Sequence, residues 1–169
     1  MKLPSAFIKD SDNINVIIET SKGSRNKYAF DPETELYKLH KALPAGLSFP
    51  THFGFIPATK AADGDPVDVL VMMDEPSYPG CLAECRVLGV LTALQGKKGK
   101  LIRNDRIVAV AEESEEYNDL KKIKDLDKKL LKQIARFFEE YHRIDKEIFK
   151  LLGLNGTKKA LKLIRKNLE

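Results

Sequence analysis

The sequence predicts an α+β chain, mainly β: a small closed β-barrel followed by two C-terminal helices. Three observations carry this reading. Short β-branched runs separated by turn residues crowd the first 110 residues, as in a small barrel. The apolar period then lengthens to three- and four-residue steps at Leu126, Leu130, Leu131, Ile134, Phe137, Phe138 and Tyr141, the mark of an amphipathic helix. Within the first of these regions, Asp63-Gly64-Asp65-Pro66-Val67-Asp68-Val69-Leu70-Val71 sets three acids at the mouth of an apolar run.

Residues 1–12 form a leader without a clear period. Residues 13–20 (NINVIIET) are β-branched and read as a strand with Glu19 near its end. A turn at 21–26 leads to a returning strand at 27–30. Asp31-Pro32-Glu33-Thr34 turns the chain again, and residues 36–39 form a third strand. Residues 44–57 are rich in Pro, Gly and aromatics, lack a helical period and read as an irregular, partly buried loop. Residues 67–71 form the strand after the acidic string. Residues 76–80 turn, residues 81–94 are strand-like, residues 96–99 make a basic hairpin tip, and residues 106–110 are one more β-branched run.

A chain of 169 residues is expected to form one domain. The barrel falls at about 13–112 and the helices at about 126–151 and 157–167, with Thr157 as cap of the second. Hydrophobic content of 43% and charged content of 32% are globular values. A net charge of +4, concentrated in the C-terminal third, makes no case for nucleic acid. No basic region precedes an apolar stretch at Met1, and there is no 18-residue apolar run. The expected location is the cytoplasm, with no membrane partner. Cys81 and Cys85 lack a second ligand pair and read as free thiols.

The acidic string has its own chemistry. Asp-Gly is a turn signal and Pro66 fixes φ, so the segment is a pre-set loop. Asp63, Asp65 and Asp68 repel one another unless a cation lies between them, and hard cations such as Mg²⁺ prefer carboxylate oxygens. The same spacing also reads as a solvated acidic turn. An EF-hand is excluded, because its sixth and twelfth positions would be Asp68 and Asp74 instead of Gly and Glu.

The string resembles the signature of the soluble family I inorganic pyrophosphatases. The resemblance runs over residues 14–141, with a weaker C-terminal tail. It implies an OB-like, five-stranded barrel with two helices and Mg²⁺-dependent hydrolysis of pyrophosphate to two phosphates, with Mn²⁺ as a substitute ion. Asp63, Asp65, Asp68 and Glu19 match acidic positions of the metal cluster, and Asp65 also matches the general base. Lys27, Lys41, Arg106 and Tyr141 match the phosphate clamp, Lys41 standing where the family has Arg and Arg106 where it has Lys. The resemblance also implies a homo-oligomer, a hexamer in bacterial members.

Six positions depart from the family pattern. Ala29, Gln95 and Asn104 stand where metal-site acids are expected, Phe49 and Phe53 where tyrosines are, and His142 where a lysine is. These departures imply an eroded, weak enzyme. The alternative is a catalytically inactive relative serving as an anion-binding or assembly component. Asp105 could compensate for Asn104, but only if a bulge turned it inward.

Overall fold

The computed structural model describes residues 3–169. The elements run β1 (Ile14–Thr20), β2 (Asn26–Asp31), β3 (Leu36–Ala42), β4 (His52–Ile56), β5 (Val67–Met72), β6 (Leu82–Lys97), β7 (Lys100–Arg103), β8 (Arg106–Ala111), α1 (Lys128–Ile144), β9 (Ile148–Gly156) and α2 (Thr157–Lys166). Strands pair in the order β1-β4-β5-β8-β6, and β6 pairs back with β1. The expected five-stranded barrel is therefore closed. β5 and β8 lie parallel, in register from Val69 opposite Ile107 to Met72 opposite Val110. β7 and β9 extend the far end of β6, and β2–β3 is a separate hairpin.

Alternation along the strands splits the core into two faces. Val67, Val69, Val71, Ile107 and Ala109 join Ile14, Val16 and Ile18, and Ala160, Leu161 and Ile164 of α2 pack with this set. Leu70, Met72, Val108 and Val110 lie on the opposite face with Leu88 and Leu91. Ile134, Phe137 and Phe138 of α1 and Phe149 of β9 cover them. Asp68 shares the parity of Leu70 and Met72, and Arg106 that of Val108 and Val110. Both charges thus fall on the face beneath α1.

Three expectations are corrected. Residues 44–57 are not all loop, because β4 lies among them; all five of its residues are buried, so it lacks the half-polar alternation by which a strand is recognised. Gly54 is part of its fit: a Cβ there would lie 2.2 Å from the Ile17 carbonyl oxygen. The first long helix does not reach residue 151. It begins with Asp127 accepting the Lys129 N–H at 2.8 Å and ends at Asp145, where Lys146 takes φ +57°. The leucines that follow belong to β9, whose Phe149 and Leu151 turn toward the α1 side. Gly156, not Thr157, is the N-cap of α2; the Thr157 hydroxyl is held by the Leu88 carbonyl at 3.0 Å.

Candidate active site

The segment between β4 and β5 is shaped by its own hydrogen bonds. The buried Thr59 hydroxyl donates to the Ile56 carbonyl at 2.6 Å and accepts the Val67 N–H at 3.0 Å, tying the end of β4 to the start of β5. The Ala61 N–H donates to the Asp65 carbonyl at 2.7 Å, and Gly64 turns the chain at φ +95°, where a side chain would be strained. The Asp65 N–H donates to Asp63 Oδ1 at 3.2 Å, and Asn104 Nδ2 donates to Asp63 Oδ2 at 3.1 Å. Asp63 and Asp65 are exposed, whereas Asp68, already on β5, is partly buried.

A cavity of about 600 Å³ opens beside this loop. Glu19, Asp65 and Asp68 line it together with Lys27, Ala29 and Phe53. The Glu19 carboxylate accepts the Phe30 N–H at 2.8 Å. Burial nevertheless pushes Glu19 up to about 7; Lys27 opposes the shift, and Asp68 and Asp65 add to it. Burial likewise raises Asp68 above the usual carboxylate range, against the pull of Arg106 and Lys27. Asp63 does not line the cavity, but its charge is felt at Asp68.

The basic residues fall into two groups. Lys27 lines the cavity, its Nζ 5.6 Å from the Phe53 ring centroid and 5.8 Å from that of Tyr141. Lys41 pairs with Asp145, and its Nζ lies 4.5 Å from the centroid of the same tyrosine ring. Tyr141 thus stands between two lysines outside the cavity lining. Arg106 is 3% exposed and does not line the cavity either. Its Nη2 donates to Gln95 Oε1 at 2.8 Å, its Nη1 donates to the Asn104 carbonyl at 3.1 Å, and its Nε is 3.8 Å from Asp68 Oδ2.

The residues that stand where the resemblance expects other types are occupied elsewhere. Phe49 and Phe53 are buried, with Phe49 4.7 Å from Phe137 between ring centroids. His142 is buried and stacks on Phe149. The chain leaves strand geometry at Asn104–Asp105, but Asp105 accepts from the Ala93 N–H and from Arg103, so it does not join the cluster. Thr59 and the Gln95–Arg106 bond were not foreseen. Both are side-chain ties between separate elements, and no local motif marks them.

Among the described residues, no three His, Cys, Asp or Glu side chains stand close enough to enclose a metal ion. Glu19, Asp65 and Asp68 nevertheless bring carboxylate oxygens to the lining, and the desolvation of Asp68 and Glu19 is a cost that a cation would offset. This donor set fits a hard ion that keeps several of its waters, as Mg²⁺ does.

Comparison with known proteins agrees with this chemistry. The family model described as inorganic pyrophosphatase matches residues 16–169. An inorganic pyrophosphatase of Synechocystis sp. is 37% identical over 151 residues, 89% of this chain and 87% of that protein. One from Nostoc sp. is 34% identical over 156 residues, 92% of this chain and 90% of that protein. The crystal structure of the inorganic pyrophosphatase from Thermus thermophilus superposes with a TM-score of 0.87 at 33% identity, covering 96% of this chain and 92% of that one.

Proposed function

The chain belongs to the inorganic pyrophosphatase family and is an enzyme that hydrolyses pyrophosphate to two phosphates; we propose that Asp65 is its general base, that Asp63, Asp65, Asp68 and Glu19 hold Mg²⁺, and that it works at a reduced rate. The observation that supports this most is the convergence of Glu19, Asp65 and Asp68 on one cavity with Lys27.

The reaction is PPi + H₂O → 2 Pi. Asp65, exposed at the cavity wall, takes a proton from the attacking water. Lys27 draws one phosphate to the opposite side as a point charge. Lys41 and Tyr141 extend the clamp, Asp145 giving way to substrate at Lys41. Arg106 stands behind the wall, where its charge faces Asp68. Bound Mg²⁺ supplies charge neutralisation and a more acidic water; Mn²⁺ is the expected substitute. Ala29 and Phe53 in the cavity lining provide neither an acid nor a hydroxyl, and Gln95 and Asn104 are engaged with Arg106 and Asp63. Those four positions support the reduced rate.

The reading extends to a homo-oligomer, a hexamer in the resemblance. Leu36, Leu39, Tyr78 and Leu82 are 65%, 59%, 70% and 51% exposed, which supports a covered surface. No helix among the described residues is long and apolar enough to cross a membrane, and the cytoplasm is the proposed location.

Calorimetric titration of the metal-free protein with Mg²⁺, for wild type and Asp68→Asn, tests the site. Weaker binding by the variant is expected. Equal affinity would remove Asp68 from the metal site.

A further inference from the structure

A guanidinium that grips substrate is expected to reach into the cavity. Arg106 does the opposite. It is walled in by four separate elements: Gln95 of β6, Asn104 between β7 and β8, Phe138 of α1 and Phe149 of β9. Its Cζ lies 4.2 Å from the Phe138 ring centroid and 5.3 Å from that of Phe149. Two aromatic faces favour a fixed cation there. Burial of such a charge is costly unless it is paired, and two of the partners are neutral oxygens. Asp68 is the anion within pairing distance, and Arg106 Nε, which has no hydrogen-bond partner, lies 3.8 Å from its carboxylate.

We propose that Arg106 is a resident cation of the acidic cluster: it spends its charge on Asp68 and stands in for part of the divalent charge, so this chain binds fewer or weaker ions than its carboxylates alone would. The proposal rests on the reading of those carboxylates as a divalent-cation site.

Gln95 is what makes the arrangement work. As a neutral acceptor, it fixes one end of the guanidinium without cancelling its charge. An acid at 95 would neutralise Arg106 and leave Asp68 free for a divalent ion. Gln95 and Arg106 therefore act as one device, with the Phe138 ring centroid packed 4.2 Å from the guanidinium carbon. The other titratable groups around the guanidinium are Tyr141, Asp63, Asp105 and the buried His142, and none of them takes up its Nε. Two positive charges cannot share Asp68 without mutual repulsion, so the effect on metal has a definite sign.

The test is Mn²⁺ binding to the whole, metal-free chain, followed by the electron paramagnetic resonance of free Mn²⁺ without substrate. Arg106→Met keeps the stem against Phe138 and removes the charge. Arg106→Gln removes the charge but keeps a polar end beside Gln95, which covers the case in which the first variant fails to fold. Both variants are expected to bind Mn²⁺ about 10–100-fold more tightly, the range over which outer-shell partners tune metal sites, or to gain an ion. Unchanged or weaker binding by either folded variant overturns the proposal. Asp68→Asn separates the two levels: if it weakens Mn²⁺ binding while Arg106→Met and Arg106→Gln do not strengthen it, the resident-cation role alone falls. If none of the proteins binds Mn²⁺, the metal reading falls with it.

Discussion

The acidic loop between β4 and β5 and the aromatic wall beneath α1 meet at Phe53, and they are built on opposite terms. The loop is exposed at Asp63 and Asp65 and is shaped by hydrogen bonds from Thr59, Ala61 and Asp65. The wall is a chain of buried rings, Phe49, Phe53, Phe137 and Phe138, with neighbouring centroids 4.7 to 6.4 Å apart. The exposed acids of the loop can be exchanged with little effect on packing. A side chain in the wall is fixed by its neighbours. The acids of the loop therefore say little about the fold, and the phenylalanines of the wall are held by packing.

The largest effect separating the two regions is expected at Asp65. Asp65→Asn should lower the rate of phosphate release by about 10²–10⁴-fold, the range for a lost general base, with a melting temperature close to wild type. A large loss of stability would instead make Asp65 part of the scaffold. In the wall the order is reversed. Phe49→Tyr puts a hydroxyl among the Phe137 and Tyr141 rings and should cost about 1–3 kcal/mol in urea unfolding. Phe53→Tyr, whose ring reaches the cavity beside Lys27, should cost less than about 1 kcal/mol. Equal costs would mean that the wall is packed no more tightly at Phe49 than at the cavity.

What the sequence made legible was mostly local. Residues 63–71 state a turn, a proline and a strand within nine positions, and the structure has that order. The heptad-like spacing from Ile134 to Tyr141 foretold the covering face of α1. β4 escaped notice because burial on both faces erases alternation. β9 escaped because Leu151, Leu152 and Leu154 continue a helical-looking run past the Lys146 turn. In the site, Glu19, Lys27, Asp65 and Asp68 reach one cavity from β1, β2, the loop and β5. The confinement of Arg106 was not readable. Gln95, Phe138 and Phe149 come to it from other elements, and nothing near residue 106 in sequence announces them.

Substitutions at two further positions sharpen the contrast. Thr59→Val keeps the shape but leaves the Ile56 carbonyl and Val67 N–H without their partner, at a cost of about 1–3 kcal/mol. Thr59→Ser should recover most of it. A valine variant as stable as wild type would mean that the loop does not depend on this tie. His142 gives the smallest effect. Burial, and then the charge of Arg106, hold it below its ordinary 6.5. The unfolded chain therefore takes the proton first, and this contribution to stability is present above pH 6.5 and lost as pH falls through the lowered value. Thermal unfolding from pH 7 to 5 should fall more steeply for wild type than for His142→Gln. Parallel curves would exclude this role.

Phosphate release from pyrophosphate, with Mg²⁺ and then Mn²⁺, weighs the intact loop against the altered positions around it. The wild type should be run beside a variant carrying Ala29→Glu, Phe53→Tyr, Gln95→Asp and Asn104→Asp, which restores acids and a hydroxyl without disturbing Phe49. Metal-dependent activity is expected in both proteins, with the wild type slower by about 10²-fold or more, the cost of even one lost transition-state contact. A wild type that already turns over as fast as the restored protein would contradict the eroded site.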